Sequence, residues 1–154
     1  MVSLNPLLVS LAIFTLTNCA IAAQNDEVIL KESRQKTVEQ YIIDLQKADY
    51  KHITQLFDKN GIVISTSRGT VDAKEFFYSF LPNISSANTE LHQYFIGDTD
   101  LDRTAARFHF AFKLKNGEEG DGEYVDEFIF AKHSTKLAAV YMFENLRFRN
   151  ETNA

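Results

Sequence analysis

The sequence has no tryptophan, one cysteine, two prolines and six glycines among its 154 residues. Because Cys19 is the only cysteine, no disulfide bond can form within the chain. The four histidines show neither His-x-His nor His-Glu-x-x-His spacing, which argues against a metal site. No glycine-rich phosphate loop opens a helix and no Gly-x-Ser-x-Gly motif occurs, so we expect no cofactor and no serine nucleophile.

Positive charge is also scarce. No run of Lys or Arg occurs and the net charge is −5, which argues against nucleic acid or an anionic membrane surface as a partner. Hydrophobic residues are plentiful, at 45% of the chain, and include 13 Phe and 6 Tyr. A chain of this length and composition predicts one domain with one core, and its aromatic content suits a wide hydrophobic interior.

The N-terminal region has the pattern of a processing segment. Residues 7–21 are uncharged and largely apolar, and small residues at 20–23 precede a polar stretch that begins at Gln24. This pattern predicts a secretory signal over residues 1–23, followed by a polar segment over residues 24–34. The basic region that usually opens such a signal is missing, because the first Lys is Lys31.

Cys19 offers an alternative interpretation of the same segment. Residues 16–19 resemble a bacterial lipoprotein box, in which the cysteine is lipidated after cleavage, although Asn18 departs from the usual small residue. The protein is therefore expected to be secreted or periplasmic, with a membrane anchor only if Cys19 is lipidated.

The remaining chain changes from helical to strand periodicity. Apolar residues spaced by three and four predict two helices over residues 28–59 and a third from near Thr70 to Pro82, with a short strand at 62–64 between them. From Thr89 the period becomes two, which predicts four long antiparallel strands that end near residue 149. We expect residues 150–154 to form a tail.

One strand, residues 122–130, carries an acid in an aromatic row. At a period of two, Asp126 shares a face with Tyr124 and Phe128. If this face is buried, Asp126 costs several kcal/mol unless it is hydrogen-bonded or keeps its proton. Asp126 is therefore a candidate functional residue. The structural alternative is a buried acid satisfied by a Tyr hydroxyl or by Arg107.

The order of helices and strands resembles the nuclear transport factor 2-like superfamily, which includes ketosteroid isomerase, scytalone dehydratase and the SnoaL-like polyketide cyclases. Local features carry the resemblance as well: Tyr41, Ala48-Asp49 followed by Leu56-Phe57, the Gly61 strand, and Asp126-Glu127-Phe128. It covers a single SnoaL-like domain at residues 35–149. It implies an α+β fold in which three N-terminal helices pack on a strongly curved antiparallel sheet around a cone-shaped cavity. It also implies a homodimer formed through the outer sheet face.

The resemblance further implies roles for particular residues. Tyr41 and Asp126 fall where ketosteroid isomerases hold an oxyanion with a tyrosine and a protonated aspartic acid. The Asp that serves as their base, at the end of the first strand, has no counterpart in residues 64–67. His92, on the predicted face of Tyr94, is a candidate acid or base. Packing is the structural alternative for Tyr41 and His92.

We predict that the pocket is lined by Tyr41, Leu45, Phe77, Tyr94, Phe110, Tyr124, Asp126, Phe128 and Tyr141. Three functional hypotheses follow. The first is a module that binds a small hydrophobic molecule. The second is a metal-free isomerase, lyase or cyclase in which Asp126 and Tyr41 polarise a carbonyl group and His92 is a possible base. The third is a homodimeric interaction protein without a pocket.

Overall fold

The computed structural model describes residues 6–97 and 100–149, with side chains for residues 24–97 and 100–145. The elements follow in chain order: α1 (Pro6–Lys47), α2 (Tyr50–Ile53), a 3₁₀ turn (Thr54–Leu56), β1 (Phe57–Ser65), β2 (Gly69–Asp72), α3 (Ala73–Phe80), a 3₁₀ turn (Leu81–Asn83), β3 (Ile84–Ile96), β4 (Arg103–Leu114), β5 (Glu119–Phe130) and β6 (Leu137–Arg149).

The six strands form one curved, unclosed sheet in the order β2-β1-β6-β5-β4-β3. Helices pack against the sheet, so the predicted α+β fold is confirmed. One feature of the prediction is wrong: the sheet is mixed, because β1 pairs with β6 in parallel while all other neighbours are antiparallel. The parallel pair is possible because the chain crosses the whole sheet between these two strands.

The helical region differs from the sequence prediction in its boundaries. The second helix is a single turn, because β1 begins at Phe57, a residue that we had assigned to that helix. Residues near Thr70 form β2, and α3 begins at Ala73, where the side chain of Asp72 accepts a hydrogen bond from the backbone N–H of Glu75. α1 also includes the backbone of the predicted signal segment from Pro6 onward.

The predicted two-residue period of the long strands is observed directly in β4 and β5, where buried and more exposed residues alternate. The buried face packs against α1 and α3 and forms the core. In β5 this face holds Tyr124, Asp126, Phe128 and Phe130. The aromatic row and its carboxylate therefore point into the protein.

A buried arginine connects α1 to the sheet. Arg34, which is 2% exposed, donates hydrogen bonds to the carbonyl oxygens of Leu101 (2.6 Å) and Ser134 (2.9 Å) and to Oδ1 of Asp102 (2.7 Å). Its guanidinium carbon also lies 4.9 Å from the ring centre of Phe130. Arg34 thus ties α1 to the β3–β4 and β5–β6 connections and fixes the helix over the inner sheet face.

Candidate functional site

A cavity of about 250 Å³ lies between the helices and the inner face of the sheet. Its walls are largely aromatic, and its polar side chains are few. The apolar and aromatic lining consists of Tyr41, Leu45, Phe76, Phe77, Phe80, Phe108, Phe110, Phe112, Leu114, Tyr124 and Met142. The other lining residues are Asp126, Glu144, Ser67 and Arg68. Because Ser67 and Arg68 are exposed, they mark the mouth of the cavity.

Asp126 lies inside the cavity wall and is 1% exposed. Its Oδ2 accepts a hydrogen bond of 3.2 Å from the hydroxyl of Tyr41, whereas its Oδ1 is buried and has no partner. Burial raises the pKa of Asp126 to about 8; the Tyr41 hydrogen bond lowers it and the charge of Glu144 raises it. Asp126 is therefore protonated at neutral pH and can donate one hydrogen bond from inside the cavity.

Tyr41 is fully buried beside Asp126. Its ring makes edge contacts with Phe77 and Phe128, at centroid distances of 5.9 and 5.1 Å. Burial raises the pKa of Tyr41 well above its usual value, and the charge of Asp126 adds to this effect. The hydroxyl group of Tyr41 therefore keeps its proton and uses it to hold Asp126.

Arg107 was the other partner considered for Asp126, but it lies on the opposite face of the sheet. Its side chain is 46% exposed and lies 3.6 Å from Oε2 of Glu123. The alternation of β4 explains this position, because Ala106 and Phe108 occupy the inner face on either side of Arg107. Of the two predicted partners, a Tyr hydroxyl and Arg107, the structure pairs Asp126 with a Tyr hydroxyl, that of Tyr41.

Glu144 is a cavity residue that the sequence analysis missed. It lies on β6 opposite Tyr124, and its Oε1 accepts a hydrogen bond of 2.5 Å from the hydroxyl of Thr66. The first strand indeed supplies no carboxylate at residues 64–67, but Glu144 brings one to that end of the strand. Glu144 follows the buried Val140 and Met142 at a period of two and so lies on the inner face, but the sequence of β6, apolar on both faces, does not show which face is buried.

The mouth of the cavity carries a cation. The guanidinium carbon of Arg68 lies 5.2 Å from the ring centre of Phe76, and Nη1 donates a 2.5 Å hydrogen bond to Oγ of Ser79. Both contacts are with α3, so Arg68 is held over the helix and beside the opening. The cavity therefore combines an apolar interior with charged groups near the solvent.

The structure brings six of the predicted pocket residues to the cavity: Tyr41, Leu45, Phe77, Phe110, Tyr124 and Asp126. Phe128 is fully buried, but it packs beneath Tyr41 and does not reach the cavity. Tyr94 is on the inner face opposite Ala106 and packs against the core outside the cavity. Tyr141 is on the outer face, opposite Glu127, where it is 36% exposed.

His92 also lies outside the cavity, contrary to the expectation from its spacing to Tyr94. A bulge between Leu91 and Gln93 inserts a residue into β3 and moves His92 away from the inner face. Its Nε2 is 3.4 Å from Oε1 of Glu123, a residue of the outer face. The structure therefore does not place His92 among the residues that line this cavity.

Among the described residues, no group of three or more His, Cys, Asp or Glu residues could hold a metal ion. The same part of the chain contains no helix with the length and apolar character needed to cross a membrane. The acidic residues that line the cavity are Asp126 and Glu144.

Neither a protein-family model nor a curated protein matches the sequence. Solved structures do match the fold. SalBIII, described as an epoxide hydrolase/cyclase-like enzyme in pyran ring formation in polyether salinomycin, is 16% identical with a TM-score of 0.62, over 74% of this chain and 92% of that chain. A computationally designed 17-OHP binder is 11% identical with a TM-score of 0.63, over 76% and 98% of the two chains.

A third similar structure is a nuclear transport factor 2-like protein of unknown function from Exiguobacterium sp. 255-15. It is 14% identical with a TM-score of 0.58, over 71% of this chain and 98% of that chain. At these identities the likeness shows a common fold, and the residues of the cavity must carry any argument about activity.

Proposed function

We propose that this chain, which has the nuclear transport factor 2-like fold predicted from its sequence, binds a small hydrophobic molecule that carries a hydrogen-bond-accepting oxygen. The observation that carries the proposal is Oδ1 of Asp126, a buried polar atom without a partner in the wall of an aromatic cavity. Buried polar atoms are normally hydrogen-bonded, because an unpaired one costs about 1–3 kcal/mol. A ligand oxygen at this position removes that cost.

The chemistry of the lining defines the ligand class. Most of the wall is aromatic or aliphatic, and the protonated Asp126 supplies a donor held in place by Tyr41. A carbonyl oxygen on a compact apolar skeleton matches both features. The proposal has a precedent in the fold, since one similar structure is a designed small-molecule binder.

The second candidate function is isomerisation, cyclisation or elimination on a carbonyl-containing hydrophobic substrate. Glu144 is the observation that favours it, because it adds a carboxylate to the cavity that contains the donor Asp126. Glu144 would accept a proton from the carbon beside the carbonyl group and return it to another carbon, while Asp126 holds the carbonyl oxygen. Tyr41 would act by positioning Asp126.

Thermal stabilisation of the purified domain tests the first proposal, with compact ketones, polyketide fragments and fatty acids as probes. A ligand at one hundred times its dissociation constant stabilises the folded state by about 2.7 kcal/mol. We expect Asp126→Asn to keep this effect, since the amide group also donates, and Asp126→Leu to lose it. Asp58→Asn on the exposed part of β1 is the matched control. An unchanged stabilisation of Asp126→Leu would contradict the proposal.

The cavity favours a domain with a pocket over the pocketless interaction protein.

The outer sheet face carries an exposed apolar group formed by Val125, Tyr141 and Phe143. We propose that two copies of the domain associate through this face. Sedimentation of wild type and Phe143→Lys tests this association, and a monomeric wild type would contradict it.

We also propose a secreted or periplasmic location, with a lipid anchor only if Cys19 is lipidated. Residues 1–5 and 150–154, and the side chains of residues 6–23, lie outside the described residues. Mass spectrometry of the mature N-terminus distinguishes cleavage after residue 22 or 23 from lipidation at Cys19, and an uncleaved chain would contradict both.

A further inference from the structure

The cavity contains two carboxyl groups on neighbouring strands. In the β5–β6 register Asp126 is opposite Met142, and Tyr124 is opposite Glu144. Asp126 and Glu144 are therefore diagonal neighbours on the inner sheet face, a relationship that separates two residues by about 7–8 Å. Both side chains line the same cavity. One small molecule can thus contact both groups at once.

The two carboxyl groups have different environments. Asp126 is 1% exposed, and burial favours its neutral form. Glu144 is only half-buried, accepts a hydrogen bond from Thr66, and shares the cavity mouth with the cation of Arg68. The cavity therefore presents a donor at Asp126 and a half-exposed carboxyl acceptor at Glu144.

Glu144 retains an acceptor for a ligand. Within residues 24–97 and 100–145, the hydroxyl of Thr66 is the one side-chain group that donates to it, and this bond uses Oε1. Oε2 is left to accept from a molecule in the cavity. A hydrogen bond to a charged acceptor contributes about 1.5–3 kcal/mol, which corresponds to roughly tenfold to a hundredfold in affinity.

We propose that Glu144 determines ligand specificity, and that the cavity takes a hydroxy-carbonyl compound whose carbonyl oxygen accepts from Asp126 and whose hydroxyl group donates to Glu144. The inference rests on the proposed binding function and adds the second polar group of the ligand. A carboxylate at that end of the ligand would be repelled by Glu144. An ammonium group would meet Arg68 at the mouth, so a neutral hydroxyl group is the donor that fits both charges.

Three related ketones test the inference: 2-tetralone, 6-hydroxy-2-tetralone and 6-methoxy-2-tetralone. They share one apolar skeleton and one carbonyl group, and only the hydroxy compound can donate to Glu144. Titration calorimetry with the purified domain should give a dissociation constant for 6-hydroxy-2-tetralone at least about tenfold lower than for the methoxy compound. Glu144→Leu should remove this preference, and Glu75→Leu, an exposed acid on α3, should retain it.

The outcomes separate the inference from the function on which it rests. Equal affinities of the wild type for the hydroxy and methoxy compounds would overturn the role of Glu144 and leave the binding function standing. A preference that persists in Glu144→Leu would do the same. Failure of all three ketones to bind would overturn the binding function itself. The wild-type comparison needs no variant, so the test survives if Glu144→Leu does not fold.

Discussion

The hydroxyl group of Tyr41 donates a 3.2 Å hydrogen bond to one oxygen of Asp126, and the other oxygen of this cavity-lining residue is buried without a partner. Tyr41 comes from the longest helix and Asp126 from the centre of the sheet, so the bond joins the two layers of the fold. It also fixes which carboxyl oxygen is available to a ligand. Tyr41 therefore influences ligand binding by holding the carboxyl group of Asp126 in position.

The first prediction concerns the pH dependence of stability. The pKa of Asp126 is about 8 in the folded protein and about 4 in an unfolded chain. Between these values the folded state holds a proton that the unfolded state has lost. The stabilising contribution of the neutral Asp126 is complete below pH 4 and falls by about 1.4 kcal/mol per pH unit as the pH rises towards 8.

Asp126→Asn isolates this effect, because the amide is always neutral. Urea denaturation between pH 5 and 9 should show the variant gaining stability relative to the wild type as the pH rises. The other titrating groups contribute equally to the pH dependence of the free energy of unfolding in both proteins, so their contributions cancel when the two proteins are compared. A stability difference that is constant over this pH range would contradict a raised pKa for Asp126.

The second prediction concerns Tyr41→Phe. The variant leaves Oδ2 of Asp126 buried without a donor, which should reduce the free energy of unfolding by about 1–3 kcal/mol. The hydrogen bond from Tyr41 lowers the pKa of Asp126, so its loss should raise that pKa further. Denaturation and carbon NMR of the carboxyl group measure the two effects. Tyr78→Phe, at an exposed tyrosine of α3, should change stability by less than about 0.5 kcal/mol.

The third prediction concerns Gly120, which allows the ring of Phe112 to lie in the cavity wall. A Cβ atom at Gly120 would be only 2.3 Å from Cζ of Phe112. Gly120→Ala should therefore displace the ring and destabilise the fold by about 1–3 kcal/mol. Combining it with Phe112→Leu should give a smaller loss than the sum of the single changes, which a double-mutant cycle measures. Additive losses of stability would contradict a steric clash between the alanine at position 120 and the ring of Phe112.

The fourth prediction concerns Arg34. Arg34→Met removes a buried cation that donates to Leu101, Asp102 and Ser134, and should cost about 2–4 kcal/mol. Hydrogen exchange should become faster in the β3–β4 and β5–β6 connections, because these lose the hydrogen bonds that Arg34 donates to them. Arg107→Met on the outer face is the matched control, with an expected change below about 1 kcal/mol. Equal effects of the two substitutions would contradict the role assigned to Arg34.

Strand periodicity predicted the centre of the site well. The alternation of β5 alone placed Asp126 in an aromatic row, and the structure has that row on the inner face. The prediction succeeds because β5 pairs on both sides without a shift in register over residues 119–129. A continuous ladder keeps every second residue on the same face.

The same rule failed where the ladder is irregular or the pattern is ambiguous. The bulge in β3 reverses the face expected for His92, and no local signal in the sequence marks it. β6 is apolar on both faces, so its composition could not show that Tyr141 faces outward. Glu144 was missed because its importance depends on Asp126, which lies on the neighbouring strand.

The parallel pair of β1 and β6 has a consequence for biosynthesis. β1 is the first of the six described strands to be made, yet its partner β6 is made after the other five, and β6 also carries Met142 and Glu144. Contacts between distant parts of a chain form late and slow the overall reaction. The nascent chain therefore carries an unfinished sheet until β6 has been made, and a chain terminated before Leu137 would lack one wall of its binding chamber.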